Sequence, residues 1–173
     1  MPFALAPETP DDLWEVEALL DTAFGPGRTG LSSYRLRQGP PVAALCRIAR
    51  DEFGSVAGAV RFWPVWVGGA PTLLLGPIAV HPTRQGEGLG ALLMRAALGA
   101  AEGWERVLLV GDHAYYARFG FAPLAGVLMP PPTDPARVLG RALAPGAWDG
   151  VAGEVRADPG GAEGVAPPQE DPP

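Results

Sequence analysis

Apolar residues recur at helical spacing early in the chain, where Leu13, Val16, Leu19, Leu20 and Phe24 are separated by acidic positions. Pro10-Asp11-Asp12 supplies a helix entry and Gly25-Pro26-Gly27 an exit, so the pattern predicts an amphipathic helix preceded by a short strand at residues 3–6. Residues 27–41 mix glycine, serine and arginine around Leu31, Tyr34 and Leu36, and read as a loop with a short helix, of the kind that borders a substrate site. Residues 42–49 and 55–67 are rich in small and β-branched apolar residues, with the turn signal Asp51-Glu52-Phe53-Gly54 between them, and read as a hairpin. Residues 73–80 form a third extended run. Gly76-Pro77 interrupts it, and proline has no N–H for a ladder, so a bulge or local splay is expected there.

Helical spacing returns over residues 90–103, with Leu92, Leu93, Ala96, Ala97 and Ala100 on one face and Gly103 closing the run. Residues 107–110 read as a short buried strand, and residues 113–119 as a short helix ended by Gly120 in the left-handed conformation that glycine accepts. Strand, glycine turn, helix and strand make a βαβ unit, and the hairpin ahead of it makes the sheet mixed. Residues 138–143 add a further strand, and Trp148 predicts packing up to about Val155. Residues 157–173 are almost all glycine, proline, alanine and acidic residues, a composition that buries too little apolar area to offset its conformational entropy. A single domain over residues 1–156 with a disordered tail over 157–173 is the expectation.

Composition narrows the function. A chain of 173 residues with 47% hydrophobic content is long enough for one well-buried core. The net charge of −6 offers little of the positive field that nucleic acid or an anionic membrane requires, so neither is expected as a partner. Met1-Pro2-Phe3-Ala4-Leu5 has no basic n-region, and no apolar run approaches the roughly 20 residues needed to cross a bilayer; a soluble, cytoplasmic protein is expected. Cys46 is the one cysteine and reads as core, and with two histidines it cannot form a Cys/His zinc site, so no metal is expected. There is no lysine at all, which excludes the P-loop and the pyridoxal Schiff base. Ser32, Ser33 and Ser55 all lie outside any G-x-S-x-G elbow.

The densest chemical signal is the alternation Gly86, Gly88, Gly90 between a strand and a helix. Amides at a helix amino terminus point outward, and glycines let a phosphate approach without meeting a Cβ, so the turn can cradle a pyrophosphate. It is not the dinucleotide fingerprint G-x-G-x-x-G, because Ala91 stands where the third spacing would need glycine. Taken alone, a flexible strand-to-helix connection accounts for it equally well.

A wider match decides between these readings. Residues 75–90, with Val80-His81-Pro82 ahead of Gln85-Gly86-Glu87-Gly88-Leu89-Gly90, resemble the central motif of the GNAT N-acyltransferase superfamily: Gln or Arg, two residues, Gly, one residue, then Gly or Ala. Gln85, Gly88 and Gly90 match it position by position. Downstream, Ala114-Tyr115-Tyr116-Ala117-Arg118-Phe119-Gly120-Phe121 resembles the superfamily's tyrosine-bearing helix followed by Gly-Phe, and the run Val110-Gly111-Asp112-His113-Ala114-Tyr115-Tyr116 resembles a bacterial subgroup of predicted acetyltransferases. The fold implied is a GNAT-like α/β (α+β) arrangement: a mixed, mostly antiparallel central sheet with splayed parallel central strands, flanked by helices.

The resemblance implies acetyl-CoA as co-substrate and no metal. It places the pantetheine on the backbone of Ile78, Ala79 and Val80, and the pyrophosphate on the amides of Gln85, Gly86, Glu87, Gly88, Leu89, Gly90 and Ala91. It implies direct attack of a primary amine on the thioester in a ternary complex, a backbone amide near Ile78 facing the developing oxyanion, and Tyr116, four residues before Gly120, as the acid that protonates the departing thiolate. Tyr115 points about 100° away on the helix and reads as packing. No general base is visible: Asp112 reads better as an N-cap, His113 stays a candidate, and His81 reads as a solvated surface residue. The acceptor is a small-molecule or peptide amine, with the acidic balance favouring a cationic one, and a homodimer stays open. The rival reading is a non-catalytic acyl-CoA-binding regulatory module.

Overall fold

The helical period of the amino-terminal segment appears where the spacing predicts it. In chain order, a computed structural model describing residues 2–101 and 103–158 contains β1 (Ala4–Pro7), α1 (Leu13–Phe24), β2 (Arg47–Arg50), β3 (Val56–Val67), β4 (Ala70–Val80), α2 (Leu89–Ala100), β5 (Arg106–Val110), α3 (His113–Tyr116), β6 (Ala122–Pro123), β7 (Val127–Leu128), β8 (Val138–Ala142) and β9 (Gly153–Ala157). The strands form a mixed, mostly antiparallel sheet with helices beside it, the expected fold class. The chain divides into two compact units, and it passes between them along both β3 and β4.

The first unit takes in Met1–Leu31, Val42–Phe62 and Gly76–Ala101. Its strands follow the order β1-β2-β3-β4, with β1 to β2 and β2 to β3 antiparallel. Helix α1 buries Val16, Leu19 and Leu20 against Ile48, Val56, Ala59 and Ala79, the stripe its periodicity encodes. Helix α2 sits on the sheet at Gly58: a Cβ there would lie 2.8 Å from Leu93 Cδ1 and 3.0 Å from Leu89 Cδ2, so the missing side chain sets how closely the helix approaches.

The second unit takes in Ser32–Pro41, Trp63–Leu75 and residues 103–158. Here β4 pairs with β5 in parallel at Leu73↔Val107 and Leu74↔Leu108, and β5 pairs antiparallel with β8 from Arg106↔Ala142 to Val110↔Val138. Strand β6 adds to β8, and β9 lies antiparallel to the end of β3 and parallel to β7. Trp63, Val65, Val67, Leu74, Leu108 and Val138 form its core. Packing does reach Val155, and Ala157 is the last ladder residue, opposite Val65. The disordered tail expected over residues 157–173 is corrected at its start, because Ala157 is drawn into β9 by its pairing with β3, and from residue 159 onward that expectation lies outside the described residues.

Two expectations about the strands change. Residues 42–49 do not form one strand: Ala43–Leu45 wind into a 3-10 turn and β2 begins only at Arg47. Burial of Leu45 and Cys46 satisfies the apolar signal without an extended backbone, and a short apolar run carries no period that separates the two outcomes. The run at residues 73–80 is part of a longer strand that begins at Ala70 and passes through Gly76-Pro77. Its ladder to β5 stops at Leu74, so the loss of pairing falls just ahead of Gly76-Pro77 as anticipated. Among the described residues no helix is long and apolar enough to cross a membrane.

With no lysine, the first unit ties its loops with arginine forks. Arg61 on β3 is buried; its Nε and Nη2 donate to Glu8 at 3.1 and 2.8 Å, and its Nη1 donates to Glu17 Oε2 on α1 at 2.7 Å. Glu17 also pairs with buried Arg28, which reaches Asp21 Oδ1 at 2.9 Å and so fastens the loop after α1 to the helix. Removing Arg61 leaves the largely enclosed Glu8 without its guanidinium, while the more exposed Glu17 keeps Arg28. We expect Arg61→Ala to destabilise folding by about 3 kcal/mol, the bottom of the range for breaking buried pairs, because Glu17 is partly solvated. Urea denaturation measures it, and a loss below about 0.5 kcal/mol would show that the network is a solvated surface feature.

Candidate active site

The cofactor residues implied by the motif all lie in the first unit. Residues 78–80 form the carboxyl end of β4, beyond the last register pair with β5, and Pro77 has no donor to give. His81 follows: its backbone N–H donates to Ala57 O at 2.8 Å, and its Nδ1 accepts from Thr83 N at 3.2 Å, capping the 3-10 turn Pro82–Arg84. The histidine is a surface residue, as the sequence reading assigned, and it also serves as a local cap. The pattern His-Pro-Thr is the signal that was available, since proline at the first position of a helical turn leaves the residue before it as cap.

From there the chain enters the glycine turn. Gly88 is the N-cap of α2 with φ +82°, Gly86 has φ +86°, and a Cβ at either would meet nothing within 4 Å. Among the described residues no acceptor is found for any backbone amide from 85 to 91; the first closure of the helix is Leu92 N–H to Gly88 O at 3.2 Å. An unbroken run of donors at a helix amino terminus, in open space and with the positive end of the helix dipole behind it, receives an anion. Glycine is required here by conformation rather than by protein contacts, because the space over the turn is free.

The tyrosine residues lie in the second unit. Asp112 caps α3 through Oδ1, which accepts from Ala114 N at 3.2 Å, so the capping reading holds. The helix is shorter than expected: α3 ends at Tyr116 and a 3-10 turn carries the chain through Phe119 to Gly120, which adopts φ +87°. His113 is exposed. Tyr115 packs, with Phe119 at 5.5 Å between ring centroids and the Arg118 guanidinium 4.7 Å above its ring. Tyr116 is half-buried, its ring 6.3 Å from Phe121, and its hydroxyl makes no hydrogen bond among the described residues. Burial pushes its pKa up, Tyr115 adds to this, and Arg137 opposes it. The phenol therefore keeps its proton at neutral pH, the state an acid needs.

One positioning residue escaped the sequence reading. A Cβ on Gly111, at the end of β5, would lie 2.4 Å from Tyr116 Cε2 and 2.9 Å from its Cδ2, so the ring lies directly against the glycine backbone. No local pattern signals this, because the two are brought together by the reversal of the chain into α3. Cys46 is buried, its Sγ donates to Val42 O at 3.4 Å, and burial pushes the thiol up to about 11, so it is an inert core group. Among the described residues no cluster of histidine, cysteine and carboxylate is arranged to hold a metal ion.

A mixed sheet whose parallel strand, glycine turn and helix present free amides defines an acyltransferase-type α/β fold. The chain belongs to the acetyltransferase (GNAT) family, matching its profile over residues 13–121, and is an acyltransferase. It is similar to the N-acetyltransferase YhbS of Escherichia coli, at 34% identity over 118 residues, 66% of this chain and 70% of that one. The crystal structure of YhbS in complex with CoA aligns with a TM-score of 0.78 at 30% identity, covering 91% of each chain. A GNAT family acetyltransferase from Brucella melitensis in complex with acetyl-CoA aligns with a TM-score of 0.69 at 29% identity, covering 91% of this chain and 96% of that one.

Two outcomes test the local geometry. Gly88→Val forces a β-branched residue into the left-handed region and a side chain into the space over the amides; CoA affinity measured by calorimetry should fall at least tenfold, with a smaller proportional loss of folding stability. Undiminished affinity in a folded variant removes the turn from the cofactor site. Gly111→Ala should displace the Tyr116 ring while leaving CoA affinity within about twofold; a crystal structure of the variant with the ring unmoved would show that the contact constrains nothing.

Proposed function

We propose that the protein transfers an acetyl group from acetyl-CoA to a primary amine by direct attack within a ternary complex. The observation that supports it best is the run of amides over residues 85–91 without acceptors among the described residues, preceded by a β4 whose register with β5 ends at Leu74. Those residues fit the cofactor: the amides suit a pyrophosphate, the two positive-φ glycines leave room for it, and the β4 edge suits an extended amide-bearing arm that adds as a strand would. When bound, acetyl-CoA supplies an acyl carbon activated as a thioester.

The chain's own groups then have three tasks. The backbone of Ile78, Ala79 and Val80 aligns the arm, and an amide near Ile78 faces the oxygen on which charge develops. The amides of residues 85–91 hold the phosphates, so binding energy from the remote end positions the reacting end. Tyr116 holds a proton for the departing sulfur, as the bond from carbon to nitrogen forms and the bond from carbon to sulfur breaks. An alkyl amine is neutral at pH 7 on the order of one part in a thousand, a deficit of about 4 kcal/mol, so the nucleophile's own proton must leave before or during attack. The acceptor is a small-molecule or peptide amine, and the net charge of −6 favours a cationic one.

The experiment is acyl transfer from acetyl-CoA to a panel of amines, followed as free thiol. Turnover separates the enzyme from an acyl-CoA-binding module, for which CoA binds and no amine is acylated. With an acceptor identified, Tyr116→Phe should lower kcat roughly 10- to 100-fold with little change in CoA affinity, because a thiol of pKa about 8.5 is already a fair leaving group. Tyr115→Phe should do less. Full kcat in Tyr116→Phe at every pH, where chemistry limits turnover, removes the tyrosine from the acid role.

A further inference from the structure

Within the glycine turn sits a carboxylate, Glu87, flanked by the positive-φ residues Gly86 and Gly88. A negative charge in a turn whose amides await an anion needs a local counterpart, and the structure supplies one. Arg84 Nε donates to Glu87 Oε2 at 2.9 Å and its Nη2 to Glu87 Oε1 at 3.2 Å, a two-pronged contact of guanidinium with carboxylate. The same guanidinium is also anchored elsewhere: Nη1 donates to Asp51 Oδ2 at 3.1 Å, Nη2, shared with Glu87, reaches Glu52 Oε1 at 3.2 Å, and Cζ stacks 4.7 Å above the Phe3 ring. Asp51 is itself fixed, because its Oδ1 accepts from Phe53 N and Ser55 N in the β2–β3 turn.

These partners differ in kind. Asp51 and Phe3 are largely enclosed or part of the sheet edge and hold the arginine in place, whereas Glu87 rides on the turn between two glycines and is partly exposed. The Nε/Nη2 edge of a guanidinium accepts a carboxylate or a phosphate in the same planar geometry. We infer that Arg84 is a phosphate-binding side chain of the cofactor turn, and that Glu87 occupies its fork as an internal stand-in which the cofactor pyrophosphate must displace. The turn thus carries its own competitor, and CoA affinity is set below what the amides and Arg84 together could give. This rests on the cofactor reading above.

Calorimetry with CoA and with dephospho-CoA tests it, using Glu87→Gln and the double variant Glu87→Gln/Arg84→Gln. Glu87→Gln, which changes a partly exposed side chain and should fold, is expected to tighten CoA three- to tenfold, with the same gain for dephospho-CoA because the pyrophosphate is the group received. Adding Arg84→Gln should take the whole gain back. If the gain survives without Arg84, Glu87 acts by simple repulsion and the fork is not a ligand; if Glu87→Gln binds CoA no tighter than the wild type, there is no competitor. A gain confined to CoA and lost with dephospho-CoA assigns the fork to the 3′-phosphate and overturns the pyrophosphate assignment. No binding of CoA to the wild type would instead sink the cofactor reading itself, an outcome separable from a flat response of the variant.

Discussion

A run of backbone donors over residues 85–91, without acceptors among the described residues, is the constraint on which the proposed cofactor site depends. Strand β4 is paired along β3, its ladder to β5 ends at Leu74, and after the turn held by His81 the backbone donors of residues 85–91 find no acceptor among the described residues. Unpaired amides are costly when buried and useful when they face a ligand, so their presence at the surface of an otherwise well-packed unit marks the place where a ligand completes the structure. The rest of that unit holds the run still. Gly58 lets Leu89 and Leu93 bring α2 down on β3, and His81 and Arg84 fasten the segment between strand and helix from two sides.

Electrostatics in this unit is organised by arginine alone. A guanidinium stays charged and can serve several carboxylates in one plane, which is how Arg61 joins Glu8 to Glu17 and Arg84 joins Asp51, Glu52 and Glu87. Each fork ties segments far apart in sequence: β1 and α1 to β3 in one case, the β2–β3 turn to the cofactor turn in the other. The tyrosine of the second unit follows a different rule. Tyr116 is kept neutral by burial, packs on a glycine backbone and spends its hydroxyl on no neighbour among the described residues, which is what the proposed acid role requires.

What the sequence discloses and what it hides divide by range. The turn Gly86-Glu87-Gly88, the helix after it, the cap at Asp112 and the left-handed Gly120 were legible because each is set by residues within a few positions, where glycine φ and side-chain capping act. The 3-10 turn at Ala43–Leu45 was not, because burial alone fixes neither period nor length in so short an apolar run. The anchoring of Arg84 was not legible, because the carboxylates of Asp51 and Glu52 that pin it lie more than 30 positions away. Gly111 carried no signal at all, since its role is to be absent where Tyr116 lies.

Recognition through backbone donors has a consequence for how such a site can vary. Amides come with every residue, so the turn demands only that Gly86 and Gly88 reach positive φ and that α2 begin at Leu89; the side chains on it are free to do something else. Glu87 uses that freedom in an unexpected direction, adding negative charge to an anion site. The cost is bearable because Arg84 neutralises it in two-pronged contact, and Arg84 is available because Asp51 and Phe3 hold it at the turn. On the proposed reading, one exposed carboxylate would adjust affinity for the cofactor without altering the amides that position it, which would separate how tightly the turn binds from how accurately it places the reacting end.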